Sequence, residues 1–283
     1  MFDKSKSPTT DLNADLSLGT EPFGLDEGGL IPLSRATTKQ RDTTSLLFLP
    51  RVPIADQAVA LVRRLADACD VAAKTGATAS IDLAYLDWQS RRQIDSLMGE
   101  GEISCIVAGQ PVIRAQEAVF AGLWRITGGG IDRIEVAPVP RALAARAFAP
   151  ASPPATTTAA KRPGVTAAPA IVAELIDRSA AWRDGDPTHV ITLSDLSNDA
   201  EDLACLDTAL GIGSAKIRSR GYGDCRIMAT GLANVWRVQF FNETEMLILD
   251  TFEVTAVPEV AMATADDFDD SAHALREWLG ALS

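Results

Sequence analysis

The chain has 283 residues, 47% of them hydrophobic and 23% charged, with a formal net charge of −12. That length accommodates two ordinary domains, and the acidity argues against a nucleic-acid or anionic-lipid surface, which would need clustered Lys and Arg. No apolar run approaches the ~18 residues of a spanning helix, and the polar N-terminus lacks the charged-then-apolar order of a signal peptide. The expectation is therefore a cytoplasmic protein without membrane insertion.

Residues 1–45 are rich in Ser, Thr, Asp, Gly and Lys with little apolar periodicity, the composition of a disordered tail. Leu46-Leu47-Phe48-Leu49 is a short apolar segment that suits a strand or a docking contact. After Pro53, the residues Ile54, Ala58, Leu61, Val62, Leu65, Ala66 and Cys69 recur at helical spacing. A shorter helix is expected within Leu86 to Met98, stopped by Gly99. Strand-like runs follow near 102–107, 112–119, 122–127 and 131–137, with Gly109-Gln110 and Gly128 to Gly130 as hairpin connections. Residues 141–168 are rich in Ala, Pro and Thr and read as a linker. The order of elements then returns. Helices are expected over 169–183 and 198–210, the second stopped by Gly211, and strands near 214–219, 224–230, 234–241 and 246–254. A last helix over 265–281 follows Thr264 as N-cap, with Phe268, Ala272, Leu275 and Trp278 or Leu279 in one stripe. It has no counterpart in the first half and is expected to cover an open sheet face.

The return is written in the residues. Gly99-Glu-Gly101, Trp124-Arg125 and Glu135-Val136 to Pro140 are matched by Gly211-Ile-Gly213, Trp236-Arg237 and Glu253-Val254 to Pro258. The second glycine precedes the Trp by 23 positions in both copies, and one six-residue indel separates them further on. A period of about a hundred residues implies duplicated domains and not a solenoid. The expected fold is α+β: two duplicated domains, 46–140 and 169–283, each an antiparallel sheet of about four strands with covering helices.

No enzyme motif emerges. Each Gly-x-Gly follows a helix and precedes a strand, the reverse of a dinucleotide fingerprint. No Ser-His-Asp, H-E-x-x-H or P-loop pattern appears, and Asp266 to Asp270 is a helix start and not a calcium loop. Cys69, Cys105, Cys205 and Cys225 form no C-x-x-C pair, and His189 and His273 have no ligand spacing to them, so no metal or cofactor is expected. Trp124 and Trp236 read as core, and Asp132/Asp250 with Glu135/Glu253 as structural positions. The stretch Arg218 to Arg226 is the candidate partner-binding surface, with Arg218, Arg220, Tyr222, Cys225 and Arg226 as its residues, because Arg and Tyr are favoured interface anchors. Gly221 and Arg226 recur in the first copy as Gly109 and Arg114, whereas Tyr222 and Cys225 do not.

The words Ser219-Arg-Gly-Tyr-Gly-Asp-Cys-Arg-Ile227, Asn234-Val-Trp-Arg-Val238, Leu247 to Val254, Val257-Pro-Glu-Val260 and Asp269-Asp-Ser-Ala272 resemble the C-terminal domain of the HupH (HyaF) hydrogenase expression/formation proteins. Gly99 to Glu102 and Glu135 to Pro140 look like the corresponding N-terminal copy. The resemblance implies a non-enzymatic, chaperone-like factor in maturation of a nickel–iron uptake hydrogenase. Its implied partners are the immature iron–sulfur small subunit before export and other maturation factors. It carries over no catalytic residues. The alternative is an iron–sulfur or metal carrier, or a thiol-dependent enzyme of the same pathway, working through Cys225.

Overall fold

The structure is a computed structural model and describes residues 53–149, 164–194, 200–221 and 223–282. The expected tail at 1–45, the Leu46–Leu49 segment, most of the linker and Tyr222 lie outside them.

In the first half, helix α1 (Asp56–Thr75) turns Ala58, Leu61, Val62, Leu65, Ala66, Cys69 and Ala72 to one buried side. Gly76 ends it in the left-handed conformation and returns its N–H to the Ala72 carbonyl. Strand β1 (Ala79–Asp82) and helix α2 (Trp88–Met98) follow, the helix capped by the Asp87 carboxylate on the Ser90 N–H at 2.7 Å. Strands β2 (Ile103–Val107), β3 (Ile113–Glu117), β4 (Leu123–Gly128) and β5 (Ile131–Val136) complete the copy, and a short helix α3 (Arg141–Arg146) comes next. The second half repeats the order with α4 (Ala168–Ala181), β6 (His189–Thr192), α5 (Ala200–Leu210), β7 (Ala215–Ser219), β8 (Asp224–Ala229), β9 (Val235–Phe241) and β10 (Leu247–Val254). A 3-10 turn, Glu259–Ala261, stands where α3 stood, and α6 (Ala265–Gly280) ends the chain.

The α+β class and antiparallel pairing are as expected, but the strands form one sheet of ten, in the order β1-β5-β4-β3-β2-β7-β8-β9-β10-β6. Each half supplies five strands instead of about four. The extra ones, β1 and β6, are only four residues long, too short for a clear alternation. The order is a palindrome about the β2–β7 ladder. There Cys105 pairs with Ile217, and the flanking pairs are Ile103 with Ser219 and Val107 with Ala215. Cys105 and Ile217 are equivalent positions of the repeat, so a local twofold axis passes through that pair. The edge ladders also match: Ile81 pairs with Ile134 on one side and Ile191 with Phe252 on the other.

One face of the sheet carries Trp124 and Trp236, and its central cluster runs across the joint through Cys105, Ile113, Ala115, Ile217, Cys225 and Ile227. Leu143 and Ala147 close this cluster together with Val257 and Ala261. The first two belong to the span read as linker, whose opening residues are thus part of the core. Phe148 meets the Trp236 ring edge-on, with centroids 5.0 Å apart.

The opposite face holds two lateral clusters. In the first half α1, α2 and α6 pack with Leu123, Ile134 and Val136. In the second, α4 and α5 pack with Val235, Phe252 and Val254. Helix α6 buries its expected stripe of Phe268, Ala272, Leu275 and Trp278 in the first half's cluster, to which the sheet contributes Leu123, Ile134 and Val136. Thr264 and Asp267 form a reciprocal capping box at its start. Among the described residues no helix is long and apolar enough to cross a membrane.

Candidate functional site

Between the two lateral clusters, the middle strands show polar side chains on the helix-flanked face. Cross-strand registers set them in two rows. One runs Thr127, Arg114, Ile106, Lys216, Met228, Arg237; the other runs Arg125, Gln116, Ser104, Arg218, Arg226, Gln239. This follows from the period of two along each strand, since the residues between them belong to the buried tryptophan face.

The ends of the rows are anchored by a repeated ion cluster. Arg125 reaches Asp132 through Nε at 2.7 Å and Asp95 through Nη1. At the equivalent positions Arg237 grips Asp250 through Nε at 3.0 Å and Nη2 at 2.7 Å, and Asp207 through Nη1 at 2.7 Å. The copies differ in the supporting donor: Arg91 pairs with Asp132, whereas the Gln239 amide donates to Asp250 at 3.1 Å. Burial is deeper in the second copy, where Arg237 is 8% and Asp250 5% exposed. Asp207, its side chain 53% exposed, is the outer partner of this cluster. These clusters tie α2 and α5 to the sheet. The repeated Trp-Arg and the Asp132/Asp250 match pointed to them. The missing signal was the equal spacing of Asp95 and Asp207 to their arginines.

Next to the first cluster lies a cavity of about 540 Å³. Ser104, Ile106, Arg114, Gln116, Arg125 and Thr127 line it from the sheet, and Asp95, Met98, Gly99 and Glu100 from the end of α2. Arg114 is exposed and Ile106 is 38% exposed. Among the described residues, neither Arg114 nor Lys216 has a side-chain hydrogen bond or ion pair.

The sequence-derived candidates divide between the two faces. Arg218 and Arg226 lie side by side on the open face and share Asp224: Arg218 Nε donates to Oδ1 at 2.6 Å and Arg226 Nε to Oδ2 at 2.9 Å. Burial disfavours the Asp224 charge, but the two arginines outweigh it and hold its pKa below the ordinary value. Arg226 also stacks over the Phe241 ring at 4.2 Å. Arg220 is exposed in the turn, its N–H donating to the Glu102 carbonyl at 3.1 Å. A Cβ on Gly221 would lie 1.9 Å from the Glu102 Oε2, the tip of an exposed side chain that is free to swing aside. Cys225 points the other way, into the central cluster, and is 2% exposed.

Burial pushes the Cys225 thiol up to about 12, with Glu253 and Asp224 adding to the effect. Cys105, on the twofold axis, is likewise raised to about 12 by burial. Neither is poised as a thiolate near neutral pH. Among the described residues, no three His, Cys, Asp or Glu side chains are grouped to hold a metal ion. His189 instead faces Glu174 at 2.8 Å, and His273 faces Glu277 at 3.3 Å.

Comparison with known proteins bears on this arrangement. Residues 165–282 match the model of the HupH hydrogenase expression protein, C-terminal conserved region. The chain is 44% identical over 267 residues to the hydrogenase expression/formation protein HupH of Rhodobacter capsulatus, covering 93% of this chain and 94% of that one. It is 38% identical over 233 residues to the hydrogenase expression/formation protein HoxQ of Cupriavidus necator, covering 80% and 83%. Against the hydrogenase-1 operon protein HyaF of Escherichia coli it is 30% identical over 276 residues, covering 93% and 95%. A solved structure of the hydrogenase expression protein HupH from Thiobacillus denitrificans aligns with 39% of this chain and 92% of its own, at 23% identity and a TM-score of 0.36.

Proposed function

The chain belongs to the family of HupH hydrogenase expression/formation proteins, and from that premise we propose that it is a chaperone-like factor in maturation of a nickel–iron uptake hydrogenase. Its role in this reading is to bind the immature iron–sulfur small subunit in the cytoplasm before export, alone or with other maturation factors. The observation that carries the reading is the near full-length match to proteins named for hydrogenase expression and formation. The binding surface is assigned to the open face around Arg218, Arg220 and Arg226, with Tyr222, outside the described residues, as a further candidate from the sequence. The chain is taken as two copies, 46–140 and 169–283, of one ancestral unit.

The carrier or thiol-enzyme alternative through Cys225 has less support. A metal-transfer ligand or nucleophile acts as a thiolate, and this thiol is buried and held protonated. Two experiments test the reading. Metal-free protein is used to capture the small-subunit precursor, with Cys225→Ser alongside; capture by both is expected. Reconstitution with iron and sulfide is then expected to load nothing stoichiometric. A cluster bound by wild type and lost in Cys225→Ser would overturn the chaperone reading in favour of the carrier.

A further inference from the structure

The open face carries charge that the fold does not neutralise. The net charge of the chain is −12, and Arg125 and Arg237 each hold two aspartates. Arg114 and Lys216 find none among the described residues, and Arg218, more than half exposed, shares one aspartate with Arg226. Between Arg114 and Lys216 in the same row stands Ile106, a large apolar side chain left 38% exposed, and beyond Lys216 stands the half-buried Met228. Unpaired cations alternating with apolar side chains are complementary to a ligand with carboxylates and apolar groups in alternation.

Resting on the reading of the chain as a partner-binding factor, we infer that this face docks an extended acidic and apolar segment of the partner protein across the β2–β7 joint. Its carboxylates meet Arg114, Lys216 and Arg218, and its apolar side chains meet Ile106 and Met228. From β3 to β8 is three strand spacings, about 14 Å, which about four extended residues span. The face itself is asymmetric about the local twofold. On the four strands nearest the axis only Arg114 and Arg226 are kept across it, whereas Ser104 stands at the place equivalent to Lys216, Ile106 to Arg218 and Gln116 to Met228.

The probe is a fluorescein-labelled peptide of about a dozen alternating Glu and Leu residues, long enough to cross these strands at ~3.3 Å per residue. Its binding to the full chain is followed by anisotropy. The variants are Arg114→Glu with Lys216→Glu, both away from any ion pair, and Val190→Glu on the edge strand as a control. Binding is expected to weaken at least about tenfold in the double variant, the size of a lost charge-assisted contact. It should also fall with added salt and survive Val190→Glu, while a Lys–Leu peptide gains affinity for the double variant. Equal affinity of wild type and double variant, or an equal loss in Val190→Glu, would overturn the assignment. The small-subunit precursor is titrated in parallel. If precursor binds and the double variant leaves that binding unchanged, the face is wrong and the partner stands. If the peptide binds at this face and the precursor does not bind at all, the partner is wrong and the face stands. A photoreactive group at Ile106 that crosslinks to residues 1–52 of the same chain, or to a second copy, would also overturn the inference.

Discussion

Arg237→Met tests whether the repeated ion cluster holds the sheet to α5. Methionine keeps much of the aliphatic volume but removes the three contacts, of 2.7 to 3.0 Å, that the guanidinium makes with Asp250 and Asp207. Asp250, 5% exposed, is left with only the Gln239 amide as a side-chain donor among the described residues. Removing one partner of a buried pair costs about 3–5 kcal/mol, because the other charge stays buried. The equivalent change, Arg125→Met, is milder. Arg125 and Asp132 are 22% and 30% exposed, and Arg91 still pairs with Asp132, so about 1 kcal/mol is expected. Urea denaturation followed by tryptophan fluorescence should therefore show a much lower midpoint for Arg237→Met than for Arg125→Met. Adding Asp250→Leu to Arg237→Met should recover most of the loss, since the stranded charge is then gone. Equal losses at the two arginines, or no recovery in the double variant, would refute the assignment of the energy to a buried carboxylate.

Three further outcomes follow from the same geometry. A Cβ on Gly122, at φ +79°, would lie 2.3 Å from the Phe268 ring, so Gly122→Ala should destabilise the protein strongly. Phe268→Ala, a core truncation of about 3–5 kcal/mol, should relieve part of that cost, and additivity in a double-mutant cycle would refute the contact. The folded pKa of Asp224 lies below its reference value of 3.8, so the stability it adds is full above that value and is lost as pH falls through the folded pKa. The advantage of wild type over Asp224→Asn should therefore shrink below about pH 4 in urea titrations, and an advantage growing with acid would have the wrong sign. Cys105 and Cys225, with thiols pushed up to about 12 by burial, should react with a disulfide reagent only as the chain unfolds. A fast-reacting thiol in the native protein that disappears in Cys225→Ser would contradict that.

Much of this fold was legible because the recurring words of the sequence let one half check the other. Gly99 and Gly211 were readable as helix stops, and both follow the last residue of a helix. Trp124 and Trp236 were readable as core, and each donates its indole N–H to a carbonyl past the end of the last strand of its copy. The joint was not legible. Cys105 and Ile217 look like ordinary strand residues, and nothing local says that two equivalent strands will pair with each other. Helix α3 was masked by the alanine and proline composition around it, although Leu143 is fully buried. The face of Cys225 was missed for a simpler reason. Arg226 and Asp224 flank it in sequence, and in a strand neighbours point to opposite sides. A cluster assembled from consecutive residues therefore overstates what one face presents. Asp202 was invisible for a related reason: its carboxylate serves not its own helix but the N-terminus of α4, accepting N–H groups of Thr166, Ala167 and Ala168 at 2.8 to 3.1 Å.

The joint explains why the open face exists at all. Within one copy, β2 would be an exposed edge, and so would β7, with unpaired backbone groups that invite aggregation. Pairing the two edges satisfies both ladders in a single step. Other contacts then cross the axis: Phe148 onto Trp236, the Ala147 carbonyl to the Ser214 N–H, and α6 onto α1 with Ser271 donating to the Ala121 carbonyl. The covering helices of each copy stay over the apolar outer strands, where Leu123, Ile134 and Val136 or Val235, Phe252 and Val254 need them. The strands nearest the axis carry Arg114, Gln116, Lys216 and Arg218 on that side and attract no helix. The face is thus a product of the pairing and not of either copy. It is complete only when both halves are folded and joined, so a ligand held there reports on the whole chain, and a fragment of one copy would present half of each row.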